Sequence, residues 1–248
     1  MGSVILCEGS TDYTLLQYYM RKAYKWKDDR KKQNHILKVN GNPSRKLFKD
    51  KKELTIAAVG GCNKLQEGLQ AVIDRNGLAP IDSTEQFFER VVILTDHDEI
   101  GTESDFVDEI NKIFVNNCVQ MKDTLTGSKW IACEMTNNMG EKAEFQFLLL
   151  IIPFEDIGAM ETFLLNAISA NDVYDADIIN KCNNFVDNID PEKKYLNHRR
   201  IITKAKFDTY FSVRTPAAQF NERQNILKSV KWEEYTLIQK EFELLKNL

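Results

Sequence analysis

The feature that most constrains this chain is the alternation of short apolar runs with helix-period segments over its first two thirds. Three runs, 3–7, 54–59 and 91–95, are apolar throughout, which is typical of strands buried on both faces of a parallel sheet. After each run, apolar residues recur at intervals of three and four, as they do on one face of a helix. The pattern therefore predicts an α/β fold with a largely parallel sheet flanked by helices.

The second half of the chain has a different pattern. Apolar runs at 130–133 and 145–152 predict two further strands, which a polar turn separates, so they can form a hairpin. From residue 158 onward the apolar periodicity is helical. We therefore expect an α/β domain over residues 1–170 and a C-terminal helical extension over residues 171–248.

Composition excludes several classes of protein. The chain has 248 residues, of which 43% are hydrophobic and 28% are charged, so a disordered or collagen-like chain is excluded. Its net charge of −4 excludes a basic coat for nucleic acid. The longest apolar run is far shorter than the roughly 20 residues that a membrane span needs. The N-terminus lacks the basic region and small-residue cleavage site of a signal peptide.

The cysteines indicate a reducing environment. There are five, widely spaced and without a CxxC pair, which argues against a structural zinc site. Three of them adjoin apolar runs, so we expect buried, reduced thiols. A cytoplasmic location follows from this expectation.

A lysine-rich insertion, at about residues 25–53, separates the first predicted helix from the second strand. Residues 21–52 carry 13 basic and 3 acidic side chains, a net +10 in an acidic chain. Such a segment can follow a phosphate backbone, or it can be a solvated helix face and loop, and composition leaves both interpretations open. If it binds nucleic acid, we expect it to lie beside the acidic site described next. Its candidate contacts are Lys31, Lys32, Arg45, Lys46, Lys51 and Lys52.

Carboxylates follow the predicted strands at the points where they end. Glu8 comes directly after the first strand, and Asp96 and Asp98 come directly after the third. Since ligands of parallel sheets bind at the carboxyl ends of the strands, we expect these three groups to converge. Converging carboxylates repel one another, and a hard divalent cation removes that repulsion. Asp12, four residues after Glu8, can reach the same site or simply favour the dipole of a helix N-terminus.

The segments VILCEGSTDYTLL, AAVGGCNKL and VVILTDHDEI together resemble the Toprim domain, an α/β metal-binding module of topoisomerases, primases and nucleases. The resemblance covers residues 3–168 and rests on a glutamate after the first strand and an Asp-x-Asp after a later one. It implies that Glu8 is a metal ligand or general acid/base and that Asp96 and Asp98 hold Mg²⁺ or Mn²⁺. In the nuclease branch, Asp12 and Glu161 would help to form a second metal site.

The same resemblance implies a catalytic lysine beside the scissile phosphate, for which Lys204 is the first candidate and Lys206 the second. His97 alternates away from its acidic neighbours, so we do not expect it to bind metal. The segment His198-Arg199-Arg200 is more typical of a solvated helix start than of a catalytic set.

The function that the resemblance implies is Mg²⁺-dependent cleavage of DNA or RNA phosphodiesters, in a role such as bacterial defence against phage. Primase-like nucleotidyl transfer and a non-catalytic partner-binding module are the alternatives. The sequence contains no GxxxxGK[ST] motif, so any ATPase would have to be a partner chain. The oligomeric state, including a homo-oligomer, is left open.

Overall fold

A computed structural model describes residues 2–34, 36–79, 87–99, 101–154, 157–218 and 223–248. An eight-stranded mixed sheet, flanked by helices, forms its centre, so the predicted α/β class is confirmed. Within these ranges, no helix combines the length and apolar character that crossing a membrane requires.

The sheet has a parallel centre and antiparallel edges. Its strands are β1 (Gly2–Cys7), β2 (Lys27–Asp28), β3 (Ser44–Lys49), β4 (Lys52–Ala58), β5 (Phe88–Asp96), β6 (Gln120–Met121), β7 (Ile131–Thr136) and β8 (Lys142–Ile152). Their order is β2-β3-β4-β1-β5-β8-β7-β6. Strands β4, β1, β5 and β8 run parallel, whereas β7 and β8 form the predicted hairpin. The wholly apolar runs lie in these central strands, where neighbours on both sides satisfy the backbone and helices cover both faces.

The helices are α1 (Ser10–Ala23), α2 (Leu65–Leu78), α3 (Thr102–Asn116), α4 (Met160–Asn171), α5 (Val173–Ile189), α6 (Arg199–Arg214), α7 (Arg223–Ser229) and α8 (Thr236–Glu241). Side chains of α2 and α3 pack on one face of the sheet. Those of α1 and of α4 to α8 pack on the other. The alternating pattern of strand and helix thus produces a three-layer arrangement with two apolar cores.

The C-terminal extension is helical, as expected, and shares its core with the sheet. The Phe242 ring lies 5.1 Å from the Tyr19 ring of α1 and 5.6 Å from the Phe163 ring of α4. The Tyr24 hydroxyl donates a hydrogen bond to the Phe242 carbonyl at 2.8 Å. Residues on either side of position 170 therefore contribute to one continuous apolar cluster.

The lysine-rich insertion contains two strands, β2 and β3, and β3 runs from the edge of the sheet where β1 ends to the edge where β1 begins. Strand β3 pairs antiparallel with β4, and its last residue, Lys49, is opposite Lys52, where β4 begins. Because β4 is parallel to β1, this turn lies at the end where β1 begins, far from the strand ends that carry Glu8. The expected placement beside the acidic residues is therefore wrong for the lysines of this turn. The start of β3 does lie at the edge of Glu8, where Asn42 of the insertion donates a hydrogen bond to the Val59 carbonyl at 2.8 Å.

Three of the six candidate contacts in the insertion form ion pairs, that of Lys32 with Asp29 being the longest at 4.0 Å. The Lys46 ammonium, 4% exposed, contacts the Glu53 carboxylate at 2.8 Å. The Arg45 guanidinium donates two hydrogen bonds to the Asp28 carboxylate, each at 2.9 Å. Four lysines with accessible side chains line one groove beside Lys46, which we call the lysine groove; they are Lys31, Lys32, Lys51 and Lys52.

Candidate active site

Carboxylates meet at the carboxyl edge of the parallel strands. Glu8 follows β1 and Asp96 ends β5, its neighbour in the sheet. The Glu8 carboxylate accepts hydrogen bonds from the Thr95 hydroxyl at 2.5 Å and from the Asp96 backbone N–H at 3.0 Å. The predicted convergence of these strand-terminal groups is therefore observed, and β5 itself fixes the Glu8 side chain.

Two helix starts hold the neighbouring carboxylates. The Asp12 carboxylate, in the first turn of α1, accepts a hydrogen bond from the Gly9 backbone N–H at 3.0 Å. The Asp96 carboxylate accepts one from the Met160 backbone N–H at 3.1 Å, at the start of α4. Helix N-termini favour negative charge, so this position agrees with the helix-dipole interpretation of Asp12, and its membership of a metal site stays a prediction. Glu161 follows Met160 directly and is 4% exposed.

Burial and mutual repulsion raise the pKa values of this cluster. Burial raises the pKa of Asp12 to about 7, and the negative charges of Glu8 and Glu161 act in the same direction. The pKa of Asp96 lies well above its ordinary value, first through burial and then through the charge of Asp12. Burial also raises the pKa of Glu8, against the two hydrogen bonds that it accepts. Groups of equal charge in a buried site favour a bound cation or retained protons.

Three basic side chains share a cleft with the outer carboxylates. Its volume is about 340 Å³, and its walls include Glu8, Asp96 and Asp98 together with Lys64, Arg199 and Arg200. The positive charge of Arg200 offsets a small part of the rise that burial causes in the pKa of Glu8 and of Asp12. Arg199 and Arg200 begin α6 and are exposed, as expected of a solvated helix start, and this end of α6 also lines the cleft.

The glycines between the two acidic motifs shape one wall of the cleft. The backbone N–H groups of Gly60 and Gly61 donate hydrogen bonds to the Glu8 carbonyl at 2.9 and 3.0 Å. Both glycines have positive φ angles, of 95° and 127°, which most side chains resist. This turn leads directly to Lys64 at the start of α2, which lines the cleft while its ammonium pairs with the Glu67 carboxylate.

Asp98 differs from the other carboxylates of the cleft. Its carboxylate forms an ion pair with the Arg199 guanidinium of α6. The two side chains are 51% and 44% exposed. Asp98 thus lies at the mouth of the cleft, whereas Asp12 and Glu161, 5% and 4% exposed, lie in the interior.

The remaining predicted residues lie elsewhere. The Lys206 ammonium pairs with the Asp187 carboxylate of α5 at 2.8 Å, so the second lysine candidate is engaged outside the cleft. Lys204, one turn after Arg200, is absent from the cleft walls among the described residues, so its catalytic role stays a prediction. The His97 ring nitrogen Nδ1 lies 3.3 Å from the Pro153 carbonyl oxygen. This contact agrees with the expectation that His97 turns away from the carboxylates.

The chemistry of the donor set fits Mg²⁺ or Mn²⁺, which prefer oxygen ligands. In the present side-chain conformations, no three His, Cys, Asp or Glu groups of the described residues are placed to hold an ion together. The hydrogen bonds explain why: Glu8, Asp12 and Asp96 each accept a backbone N–H, and Asp98 pairs with Arg199. Metal binding would therefore require these carboxylates to rotate. The Asp98 carboxylate is the least restrained of the four, because its partner is a side chain and not a backbone N–H.

Comparisons with known proteins give a family and one fold relative. The family profile described as "Protein of unknown function (DUF3226)" matches residues 2–245. The chain is similar in structure to hypothetical protein PH0156 from Pyrococcus horikoshii OT3, with a TM-score of 0.51 and 19% identity over 99% of this chain and 92% of that one. This similarity concerns the fold alone. No curated protein matches the chain.

A second solved structure is a glyoxalase/bleomycin resistance protein/dioxygenase family enzyme from Burkholderia phytofirmans PsJN. It shares 10% identity over 60% of this chain and 97% of that one. The TM-score of 0.19 is too low for a shared fold, so nothing is inferred from it.

Proposed function

The chain belongs to the DUF3226 family of proteins of unknown function, and from its cleft we propose that it is a Toprim-like, divalent-metal-dependent nuclease that cleaves DNA or RNA phosphodiesters. The observation that supports this proposal most strongly is the carboxylate cluster at the strand ends, with its raised pKa values, at a cleft whose lining also includes three basic side chains. A cluster of this kind suits metal ions, and the basic side chains suit the phosphate that such ions activate.

The residues of the cleft divide between two tasks. Glu8, Asp96 and Asp98 would hold one metal ion, and Asp12 and Glu161 would assist a second from the interior. Mg²⁺ or Mn²⁺ would supply an activated water and charge stabilisation at the phosphodiester. Arg200 and Lys64 would bind the phosphate oxygens and orient the scissile bond, since charge-assisted hydrogen bonds are strong and directional. Glu8, rigidly held and with a raised pKa, suits proton transfer near neutral pH.

Other features support a cellular setting for the proposal. All five cysteines are free, and Cys7, Cys133 and Cys182 are buried, as expected of a chain in a reducing cytoplasm. We include a role in defence against phage and an ATPase partner chain in the proposal. The support for both is the Toprim resemblance alone.

The test is Asp96→Asn, assayed with labelled DNA and RNA in Mg²⁺ and in Mn²⁺. The amide keeps the acceptor for the Met160 N–H but removes one charge, so we expect the metal-free fold to be equally or slightly more stable. Turnover should fall by orders of magnitude because the cation loses an anionic ligand. The matched control is Asp177→Asn, which alters an exposed carboxylate paired with Lys181 on α5. Cleavage that persists at the wild-type rate in Asp96→Asn would refute the proposal, and primer extension without cleavage would favour nucleotidyl transfer.

A further inference from the structure

We propose that Arg199 is a displaceable counter-ion. In the metal-free protein its guanidinium pairs with Asp98. Once a divalent cation has replaced Arg199 as the partner of Asp98, the guanidinium contacts a substrate phosphate. The inference rests on the proposed function and concerns the order in which the same site binds its metal and its substrate.

The restraint on Asp98 is the first observation. Glu8, Asp12 and Asp96 each accept a hydrogen bond from a backbone N–H, which fixes their carboxylates against the fold. For Asp98, the only partner shown within the described part of the chain is the Arg199 guanidinium. Rotation of Asp98 towards the interior therefore breaks a side-chain contact and leaves the backbone hydrogen bonds unchanged.

The exposure of the pair makes the exchange energetically small. With side chains 51% and 44% exposed, Asp98 and Arg199 form an ion pair of the surface type. Such pairs contribute about 0.2–1 kcal/mol to stability, because solvent screens them. A divalent cation that gathers several carboxylates also removes their mutual repulsion, so it competes effectively with a single guanidinium.

The position of Arg199 determines what it does after release. Its helix is anchored by Phe207, Tyr210 and Phe211, each at most 1% exposed in the core. The released guanidinium therefore stays at the mouth of the cleft beside Arg200. Its planar fork of donors matches the oxygens of a phosphate, and one fork cannot fully serve Asp98 and a phosphate together. Metal binding thus precedes full phosphate capture.

The experiment measures Mn²⁺ affinity by electron paramagnetic resonance for the wild type, Arg199→Ala and the control Lys181→Ala, which loses a paired surface cation of α5. Removing the competitor should tighten Mn²⁺ binding about two- to fivefold, the equivalent of an exposed ion pair. Lys181→Ala should keep the wild-type affinity. Arg199→Gln, which keeps the side chain's length without its charge, should match Arg199→Ala.

A second measurement follows the affinity for a short single-stranded oligonucleotide, with and without Ca²⁺ to support binding. The wild type should bind more tightly when the cation is present, and Arg199→Ala should lose most of that increase. Unchanged or weaker Mn²⁺ binding in both Arg199 variants overturns the inference while the proposed function stands. A wild type that binds no Mn²⁺ overturns the proposed function, and the inference with it.

Discussion

At the scale of single residues, Asp12 links the acidic site to stability. Its folded pKa is about 7, whereas an unfolded aspartate has a pKa of about 3.9. Between these values the native state binds the additional proton, so the free energy of unfolding of the metal-free protein should fall as pH rises. The largest slope that one such group gives is about 1.4 kcal/mol per pH unit.

Urea denaturation in the presence of a chelator, between about pH 4.5 and 6.5, measures this slope. Asp12→Asn should flatten it, since the amide does not titrate but keeps an acceptor for the Gly9 N–H. Glu8 and Asp96, whose pKa values are also raised, should retain part of the slope. A variant with the full wild-type slope would show that Asp12 is ionised throughout this range.

The sequence revealed some site residues and concealed others for a physical reason. Glu8 and Asp96 end uninterrupted apolar strands, so their position follows from local pattern and the geometry of parallel sheets. Arg199 is 101 residues from its partner Asp98, and only tertiary packing brings the two together. The sequence nevertheless contained an indication that the start of α6 faces the rest of the fold. Arg200 precedes the buried Phe207 by seven residues, so both lie on the same face of α6.

At the scale of elements, the start of α4 depends on a glycine that has no space for a side chain. A Cβ added at Gly158 would lie 2.7 Å from both the Cβ and the Oγ1 of Thr162. The Gly158 N–H also donates to the His97 carbonyl at 2.9 Å, which holds this end of α4 against the strand that carries Asp96. Asp96 and Glu161 can therefore keep their positions only if residue 158 has no side chain.

Gly158→Ala should lower the free energy of unfolding by about 1–3 kcal/mol, because overpacking forces the helix start to move. Thr162→Ala, added to it, should restore part of the loss, because it keeps the Cβ but removes the Oγ1 and Cγ2 atoms, at 2.7 and 2.9 Å, that also conflict. The two changes then form a double-mutant cycle with a favourable coupling energy. Chemical denaturation of the four proteins gives that energy, and additive effects would place the strain elsewhere.

The strands also show where local pattern fails. The central strands each contain a mainly apolar run and were predicted within a few residues of their ends. Strand β3, with the sequence SRKLFK, was missed because its lysines and arginine suggest a solvated segment. Pairing with β4 and burial of Leu47 make it a strand, and the Lys46–Glu53 ion pair compensates the buried charge. The pairing partner of β3 and the burial of its side chains follow from tertiary structure, so the composition of the segment could not predict them.

At the scale of the whole molecule, the C-terminal helices and the sheet should unfold together. Phe242, in the predicted C-terminal extension, is fully buried and packs against rings of α1 and α4, which precede the predicted domain boundary. Phe242→Ala should lower the free energy of unfolding by about 3–5 kcal/mol through loss of burial and formation of a cavity. Far- and near-ultraviolet circular dichroism should report one shared transition. Two separate transitions would show that residues 171–248 unfold as an independent unit.

The position of the lysine groove makes its contribution depend on substrate length. Strand β4 connects the groove to the cleft edge, and its seven residues span about 20 Å, the length of about six base pairs. A substrate of about 30 nucleotides can reach both places, whereas a small phosphodiester reaches the cleft alone.

The exposed lysines Lys31, Lys32 and Lys51 can be changed to Glu together. Lys52 is left intact because its ammonium donates to the Leu248 carbonyl at 2.9 Å.

The triple variant should raise the KM for the long substrate severalfold and flatten its dependence on salt, since phosphate contacts release counterions. Its kcat should stay near the wild-type value, because the carboxylates and arginines of the cleft are untouched. Cleavage of a small p-nitrophenyl phosphodiester should not change, and neither should thermal stability, as exposed charges contribute little. An unchanged KM for the long substrate would assign the groove to the solvated surface, with all phosphate binding left to Lys64, Arg199 and Arg200.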